Sequence, residues 1–159
     1  MRRVRHLVVE ALYEGDTSGH DPEAVYERQL HDAAEEDPGV AAAGPSGHGR
    51  GAVRGVVRLR DELDDQIANA AGQFPLDTMA VVDRNILRLA IWELVTDNSA
   101  PVAAVVNEAV ELAHRYGGES SPAFVNGVLR TVSERIQAAR AAAHPPGEAL
   151  PPNPTSQEN

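Results

Sequence analysis

The chain has 159 residues, no cysteine and a formal net charge of −10 at pH 7. The missing cysteines exclude disulfides, thiolate nucleophiles and cysteine-ligated zinc. The excess of negative charge argues against non-specific binding of nucleic acid, because the electrostatic field of the protein repels phosphate groups. No apolar run is long enough to span a membrane, so we expect a cytoplasmic protein with a single domain and a modest aliphatic core.

The first two predicted helices follow from apolar residues repeated at helical spacing. The first covers residues 4 to about 14, and Gly15 is expected to end it. Asp21 and Pro22 are typical of an N-cap and a first helical residue, and the second helix then continues to about Glu36. The start of the chain carries its one dense basic cluster, Arg2, Arg3 and Arg5.

The middle of the chain alternates between irregular and strongly helical patterns. Residues 37–51 are rich in glycine and proline and predict a flexible loop. A long helix is predicted from Val53 to about Ala70 and ends at Gly72. Residues 82–96 are apolar around nearly the whole helical circumference, so this helix is expected at the centre of the fold.

The last two predicted helices are separated by the pair Gly117-Gly118. One begins at Pro101 and the other at Ser120 or Ser121, fading near residue 143. Residues 144–159 are proline-rich and predict a disordered tail. No stretch of useful length alternates apolar and polar residues with the period of two that a β-strand requires. The fold class is therefore predicted as all-α, with six to seven helices in one domain over residues 1–143.

Asn126-Gly127 is a dipeptide that often closes a β-hairpin, but here it lies in an apolar run. The flanking residues have helical phase and lack strand alternation, so we predict that the dipeptide lies early in a helix. A glycine there costs roughly 1 kcal/mol relative to alanine. We therefore interpret Gly127 as a site where another helix packs closely.

Two patterns are candidates for chemistry. Glu111 and His114 have the Glu-x-x-His spacing of carboxylate-bridged di-iron bundles, but a second copy and two further glutamates would be needed. We interpret the pair as solvated and expect no metal site here. The arginine cluster is either an ordinary charged terminus or a short binding site for RNA phosphates.

Three segments together resemble the NusB family of transcription antitermination factors. They are RRVRHLVVEALYEGD at the start, VDRNILRLAIWEL in the middle and VVNEAVELAHRYGGESSPAFVNGVL near the end. The resemblance covers roughly residues 2 to 136. It implies two small helical bundles packed together, and a function in binding single-stranded boxA RNA of ribosomal RNA leaders together with NusE, a small-subunit ribosomal protein. The pair would join the antitermination complex on RNA polymerase, and the resemblance implies no catalysis and no cofactor.

The resemblance also implies site residues. The RNA-binding positions of the family match Arg2, Arg3, Arg5, Tyr13, Ser120 and Phe124. The surface that faces NusE matches Asp77 and Asp83. Ser120 departs from the family pattern, because an acidic residue is common at that position.

One alternative function and the oligomeric state stay open. A protein-interaction scaffold of the same fold would keep its protein contacts but lack specific RNA binding. The helical face that would receive NusE could also self-associate into a homodimer.

Overall fold

The computed structural model describes residues 2–43, 47–72, 74–97, 101–143 and 147, with the backbone alone at 41–43. Within these ranges every regular element is a helix and no strand is present, which confirms the all-α prediction. These ranges contain eight α-helices and one short 3-10 helix, Leu76–Thr78. The α-helices are α1 Arg2–Ser18, α2 Pro22–Glu36, α3 Pro38–Ala43, α4 His48–Arg58, α5 Arg60–Ala71, α6 Val81–Thr96, α7 Val102–Tyr116 and α8 Ser121–Ala143.

The helices form two groups that share α6. Helices α1 to α4 pack on one another, and α5 to α8 form the second group. Helix α6 contacts both α1 and α4 of the first group and α5, α7 and α8 of the second. Its residues from Asn85 to Ile91 are all buried, as the nearly uniform apolar pattern predicted.

Helix α1 is longer than the sequence predicted, because Gly15 does not end it. The helix continues to Ser18, and Gly19 follows with a φ of 71°. That left-handed conformation favours glycine and terminates the helix. The start of α2 agrees with the prediction, since the Asp21 carboxylate accepts a hydrogen bond from the Glu23 amide at 3.3 Å.

The prediction of a flexible loop over 37–51 is wrong for most of the segment. Residues 38–43 form α3 and residues 48–51 begin α4. The reason lies in tertiary packing, because Gly49 is buried and a side chain there would overlap the ring of Tyr26. A bare backbone at this point lets α4 approach α2 closely, so a residue with low helix propensity is retained in the helix.

The long helix predicted between Val53 and Ala70 is two helices, α4 and α5, with a break at Leu59. Leu59 leaves helical geometry with φ −98° and ψ 15°. Helix α4 packs on α1, α2 and α6, whereas α5 packs on α6 and α8. A continuous helix cannot follow both groups, so the chain changes direction here.

The explanation proposed for Gly127 is also wrong. The dipeptide does lie within α8, but Gly127 is exposed, and a methyl group there would meet no atom within 4 Å. A second glycine that allows close helix packing, besides Gly49, is Gly55 of α4, which faces the indole of Trp92.

A buried cluster of charged groups joins the two helix groups. Arg88 of α6 is 3% exposed and donates through Nε and Nη2 to both oxygens of Asp64, at 2.6 and 2.9 Å. Its Nη1 donates to Asp16 of α1 at 2.8 Å. The fork shape of the guanidinium thus fixes α1 and α5 against the same turn of α6.

The predicted tail, residues 144–159, lies outside the described residues except for Gly147. Among the helices that are described, none combines the length and the apolar content that a membrane span requires.

Candidate nucleic-acid interface

One face of α1 borders two adjoining cavities. Arg2, His6, Glu10, Tyr13 and Thr17 follow one another at three- and four-residue steps and therefore share a side of the helix. One cavity has a volume of about 340 Å³ and is lined by the first part of this stripe. The other has a volume of about 510 Å³ and is lined by the later part. Glu10 and Tyr116 line both cavities, so we describe them as one surface, the α1 groove.

The smaller cavity is the basic end of the α1 groove. Arg2, Arg3 and Arg115 line it together with His6. Arg2 contacts Glu108 at 3.3 Å and Arg3 contacts Glu36 at 3.7 Å, yet both arginines remain more than half exposed. Exposed ion pairs of this kind contribute little free energy, so either guanidinium can exchange its carboxylate for a phosphate.

Arg5 is directed away from the groove. Its Nε donates to Oε1 of Glu93 at 2.9 Å, and the side chains are only 20% and 7% exposed. His48 Nε2 lies 3.8 Å from the same oxygen. The structure therefore assigns Arg5 to an ion pair between α1 and α6, whereas the sequence grouped it with Arg2 and Arg3.

A hydrogen-bonded chain of three side chains crosses the groove where the cavities meet. The hydroxyl of Tyr116 donates to Oε1 of Glu10 at 2.6 Å, and Nδ1 of His6 lies 3.1 Å from the same hydroxyl. Burial and the hydrogen bond to Glu10 raise the pKa of Tyr116 to about 12. Burial, followed by the charge of Arg115, lowers the pKa of His6. At neutral pH the Tyr116 hydroxyl therefore stays protonated and holds Glu10 in place.

The larger cavity is the aromatic end of the groove. Tyr13 is 45% exposed and lines it together with Val9, Val82 and Tyr116. An exposed ring beside a cavity can stack on an unpaired base. Tyr13, which the family resemblance implies as an RNA-binding residue, is thus an exposed ring beside this cavity.

Glu14 also lines this end, but its carboxylate is already occupied. Arg28 Nη2 lies 3.1 Å from each of its oxygens, and His20 Nδ1 lies 2.9 Å from Oε1. The hydrogen bonds to His20 and Arg28 lower the pKa of Glu14. Its charge is thus balanced within the protein.

Ser120 and Phe124 lie outside both cavities. Ser120 is exposed just before α8, and its carbonyl accepts the Phe124 amide at 3.1 Å. Phe124 is half-buried, and its ring centroid lies 5.2 Å from that of Phe74, which is 47% exposed. The two rings form a small aromatic surface at the start of α8, which is separate from the α1 groove.

The two aspartates predicted to face NusE lie in different environments. Asp77 is exposed in the 3-10 helix and is open to a partner. Asp83 is 6% exposed, and its Oδ2 accepts a hydrogen bond from Ser121 at 2.8 Å. The Ser121 hydroxyl oxygen also accepts the Gly118 amide at 3.0 Å. Asp83 therefore joins α6 to the start of α8, and its burial removes it from the candidate partner surface.

Sequence reasoning missed the groove residues His6, Glu10, Arg115 and Tyr116. The helical repeat through Arg2, His6 and Glu10 on α1 is the sequence signal that could have identified the first two of them. Arg115 and Tyr116 come from the end of α7, and only the fold brings them against α1. The guanidinium of Arg115 lies 5.7 Å from the centroid of the Tyr116 ring, within range of a cation–π contact.

Glu111 and His114 are both exposed on α7, in agreement with a solvated pair. Across the described ranges, no group of three or more histidine, aspartate and glutamate side chains is arranged to hold a metal ion.

Comparisons with known proteins agree with the fold. The transcription antitermination protein NusB of Dehalococcoides mccartyi strain CBDB1 is 39% identical over 135 residues, covering 85% of this chain and 90% of that protein. A solved structure of NusB from T. maritima is 33% identical with a TM-score of 0.70, covering 84% of this chain and 89% of that one. A structure of the antitermination factors NusB and NusE in complex with dsRNA is 25% identical with a TM-score of 0.71, covering 84% and 96%.

The family match spans both helix groups and the whole α1 groove. It extends over residues 2–134, from the first described residue of α1 into the second half of α8. This chain belongs to the NusB family.

Proposed function

We propose that this chain is a transcription antitermination factor that binds boxA RNA together with NusE and joins the antitermination complex on RNA polymerase in the cytoplasm. It acts as an adaptor and not as an enzyme. Its family membership supports this role, as do relatives named transcription antitermination proteins and the related structure in which NusB and NusE are bound to RNA.

The observation that carries the RNA-binding part is the basic end of the α1 groove. The chain is strongly acidic overall, yet Arg2, Arg3 and Arg115 meet at one cavity beside an exposed tyrosine. Clustered guanidinium groups bind backbone phosphates, and an adjacent ring can stack on a base. Local attraction at this end thus offsets the repulsion of phosphate by the rest of the surface.

The site residues of this proposal differ from the set that the resemblance implied. Arg2, Arg3 and Tyr13 are retained, and Arg115 is added. Ser120 and Phe124 would form a second contact area beside Phe74, if the RNA continues past the groove. Arg5 is assigned to helix packing instead of RNA binding, and Asp77 is the acidic residue kept for the NusE surface.

Binding of a fluorescent boxA RNA, measured by anisotropy with and without NusE, tests the proposal. With about three phosphate contacts, log affinity should fall against log salt with a slope of about −2. Changing both Arg3 and Arg115 to alanine should weaken binding and reduce the slope toward −1. The matched control is Arg135→Ala on the exposed side of α8, which should leave both values unchanged.

The alternative function makes a different prediction in the same experiment. A scaffold without specific RNA binding would form a complex with NusE, but that complex would bind boxA no better than a scrambled RNA of equal length. That result would reject the RNA-binding part of the proposal and keep the protein contacts.

A further inference from the structure

We propose that Glu10 is a specificity-determining residue that reads the Watson–Crick edge of one unstacked guanine held in the aromatic end of the α1 groove. This inference rests on the proposed RNA-binding function and adds a base preference to it.

Glu10 stands at the boundary between a phosphate-binding end and a base-binding end. It lines both cavities, with the arginines on one side and Tyr13 on the other. A strand whose phosphates contact the arginines would direct a base into the larger cavity. That cavity, at about 510 Å³, is within the range of roughly 300–1,000 Å³ that binds small organic ligands, so it has room for a nucleobase.

The carboxylate of Glu10 is oriented but retains accepting capacity. Tyr116 donates to Oε1, and within the described part of the chain no hydrogen bond to Oε2 is present. An ionised carboxylate accepts through both oxygens, with about four lone-pair sites in total. The other carboxylate lining this cavity, that of Glu14, is committed to Arg28 and His20. Glu10 is therefore the carboxylate of the cavity that is available to a ligand.

A carboxylate only accepts hydrogen bonds, so it distinguishes bases by the donors on their Watson–Crick edges. Guanine presents two adjacent donors on its Watson–Crick edge, N1–H and the N2 amino group, which match the two oxygens of a carboxylate. Adenine presents an acceptor, N1, beside its amino group, and that acceptor would face a negative oxygen. Uracil has a single N–H donor between two carbonyls. A fixed carboxylate thus favours guanine and disfavours adenine.

Tyr116 is the positioning residue for this contact. Its hydroxyl holds Oε1, and its own oxygen is approached by Nδ1 of His6. Glu10 lies on α1 and Tyr116 on α7, so the carboxylate is supported from both walls of the groove. Loss of the hydroxyl should leave Glu10 charged but mobile, and a mobile acceptor discriminates less between bases.

The test uses the complex of this chain with NusE and four fluorescein-labelled RNA 12-mers. All are oligouridine with one central position that carries guanosine, inosine, adenosine or uridine. Anisotropy should show about tenfold tighter binding of the guanosine oligomer than of the adenosine oligomer, since a good bidentate contact gives roughly 1–3 kcal/mol of discrimination. Inosine, which lacks the N2 amino group, should lie between them.

Glu10→Gln should reduce the preference for guanosine over adenosine to less than about twofold, because the amide replaces one acceptor with a donor. Tyr116→Phe, which keeps the carboxylate, should reduce it to about threefold. Glu134→Gln on the exposed side of α8 should keep the full preference. Glu10→Gln and Tyr116→Phe should alter the guanosine-to-adenosine ratio while leaving the salt slope for oligouridine near −2.

The possible results separate this inference from the proposed function. Equal affinity of the unmodified complex for all four oligomers, with a salt slope near −2, would overturn the role of Glu10 and leave the RNA-binding function intact. A guanosine preference that survives Glu10→Gln and Tyr116→Phe would also overturn it. Failure of the complex to bind boxA or any oligomer at low salt would overturn both.

Discussion

Arg5 and Glu93 form an ion pair across α1 and α6, with Nε and Oε1 separated by 2.9 Å and both side chains largely buried. This contact divides the basic cluster at the start of the chain into two roles. Arg2 and Arg3 remain at the surface of the groove, whereas Arg5 neutralises a glutamate that is only 7% exposed. Proximity in sequence thus does not imply a shared function.

Arg5→Ala is expected to lower the free energy of unfolding by about 3 kcal/mol, because it leaves the charge of Glu93 buried without its main partner. Urea denaturation measures this change. The control, Arg2→Ala, removes an exposed guanidinium and should change stability by less than about 0.5 kcal/mol. If Arg5→Ala instead keeps full stability and weakens RNA binding as much as Arg3→Ala does, Arg5 belongs to the groove.

Gly55 and Gly127 are both helical glycines, yet alanine should act in opposite directions at the two positions. At Gly55 a methyl group would overlap the indole of Trp92, and such overpacking costs about 1–3 kcal/mol, more than the gain in helix propensity. At Gly127 the methyl group meets no neighbour, so Gly127→Ala should stabilise the fold by about 0.5–1 kcal/mol. Thermal and urea unfolding of both variants check the signs, and a stabilised Gly55→Ala would contradict the packing argument.

Arg88 makes contacts that lysine cannot reproduce. Its guanidinium binds both oxygens of Asp64 and one oxygen of Asp16 at once, whereas an ammonium acts as a point charge. Arg88→Lys should therefore lower the free energy of unfolding by about 2 kcal/mol, although the charge is kept. Arg54→Lys is the matched control, since the exposed pair of Arg54 with Glu23 contributes little. Equal stability of the two variants would show that charge alone holds the cluster.

Much of the fold was predictable from periodicity, because an amphipathic pattern depends on local spacing. The central position of α6 and the start of α2 at Asp21 and Pro22 were read from neighbouring residues alone. The wrong predictions concern residues whose conformation depends on packing against residues that are distant in sequence. Gly49 is helical because Tyr26 packs against it, and Leu59 breaks the chain because α4 and α5 belong to different helix groups.

The candidate site was predictable only where it lies on a single helix. Arg2 and Arg3 were noted as a basic cluster in one segment, and Tyr13 was implied by the family resemblance; all three lie on α1. Arg115 and Tyr116 reach the groove because α1 and α7 both pack on α6, which brings the end of α7 beside α1. The burial of Asp83 likewise depends on α8, whose Ser121 hydroxyl covers it.

Asp83 should make stability depend on pH in the direction opposite to most carboxylates. Burial raises its pKa above the ordinary value, although the hydrogen bond from Ser121 opposes the shift. Between the ordinary and the raised pKa the folded state binds more protons than the unfolded state, so stability falls as pH rises through this interval. At neutral pH the buried charge, whose Oδ1 has no hydrogen-bond partner among the described residues, therefore costs free energy.

Asp83→Asn keeps the shape and an acceptor for Ser121 but removes the charge. Either side chain leaves one polar atom unpaired, so the difference between the two proteins reports the cost of the charge. The variant should be more stable than the parent by on the order of 1 kcal/mol at pH 7.5, and the advantage should shrink toward pH 4.5 as Asp83 takes up a proton. Urea denaturation at both pH values measures the difference.

Ser121→Ala is the companion variant, which should lose more stability at pH 7.5 than at pH 4.5, because the Ser121 hydroxyl of the parent stabilises the ionised carboxylate. A gain for Asp83→Asn that grows as pH falls would mean that the carboxylate is stabilised in its charged form by the start of α6.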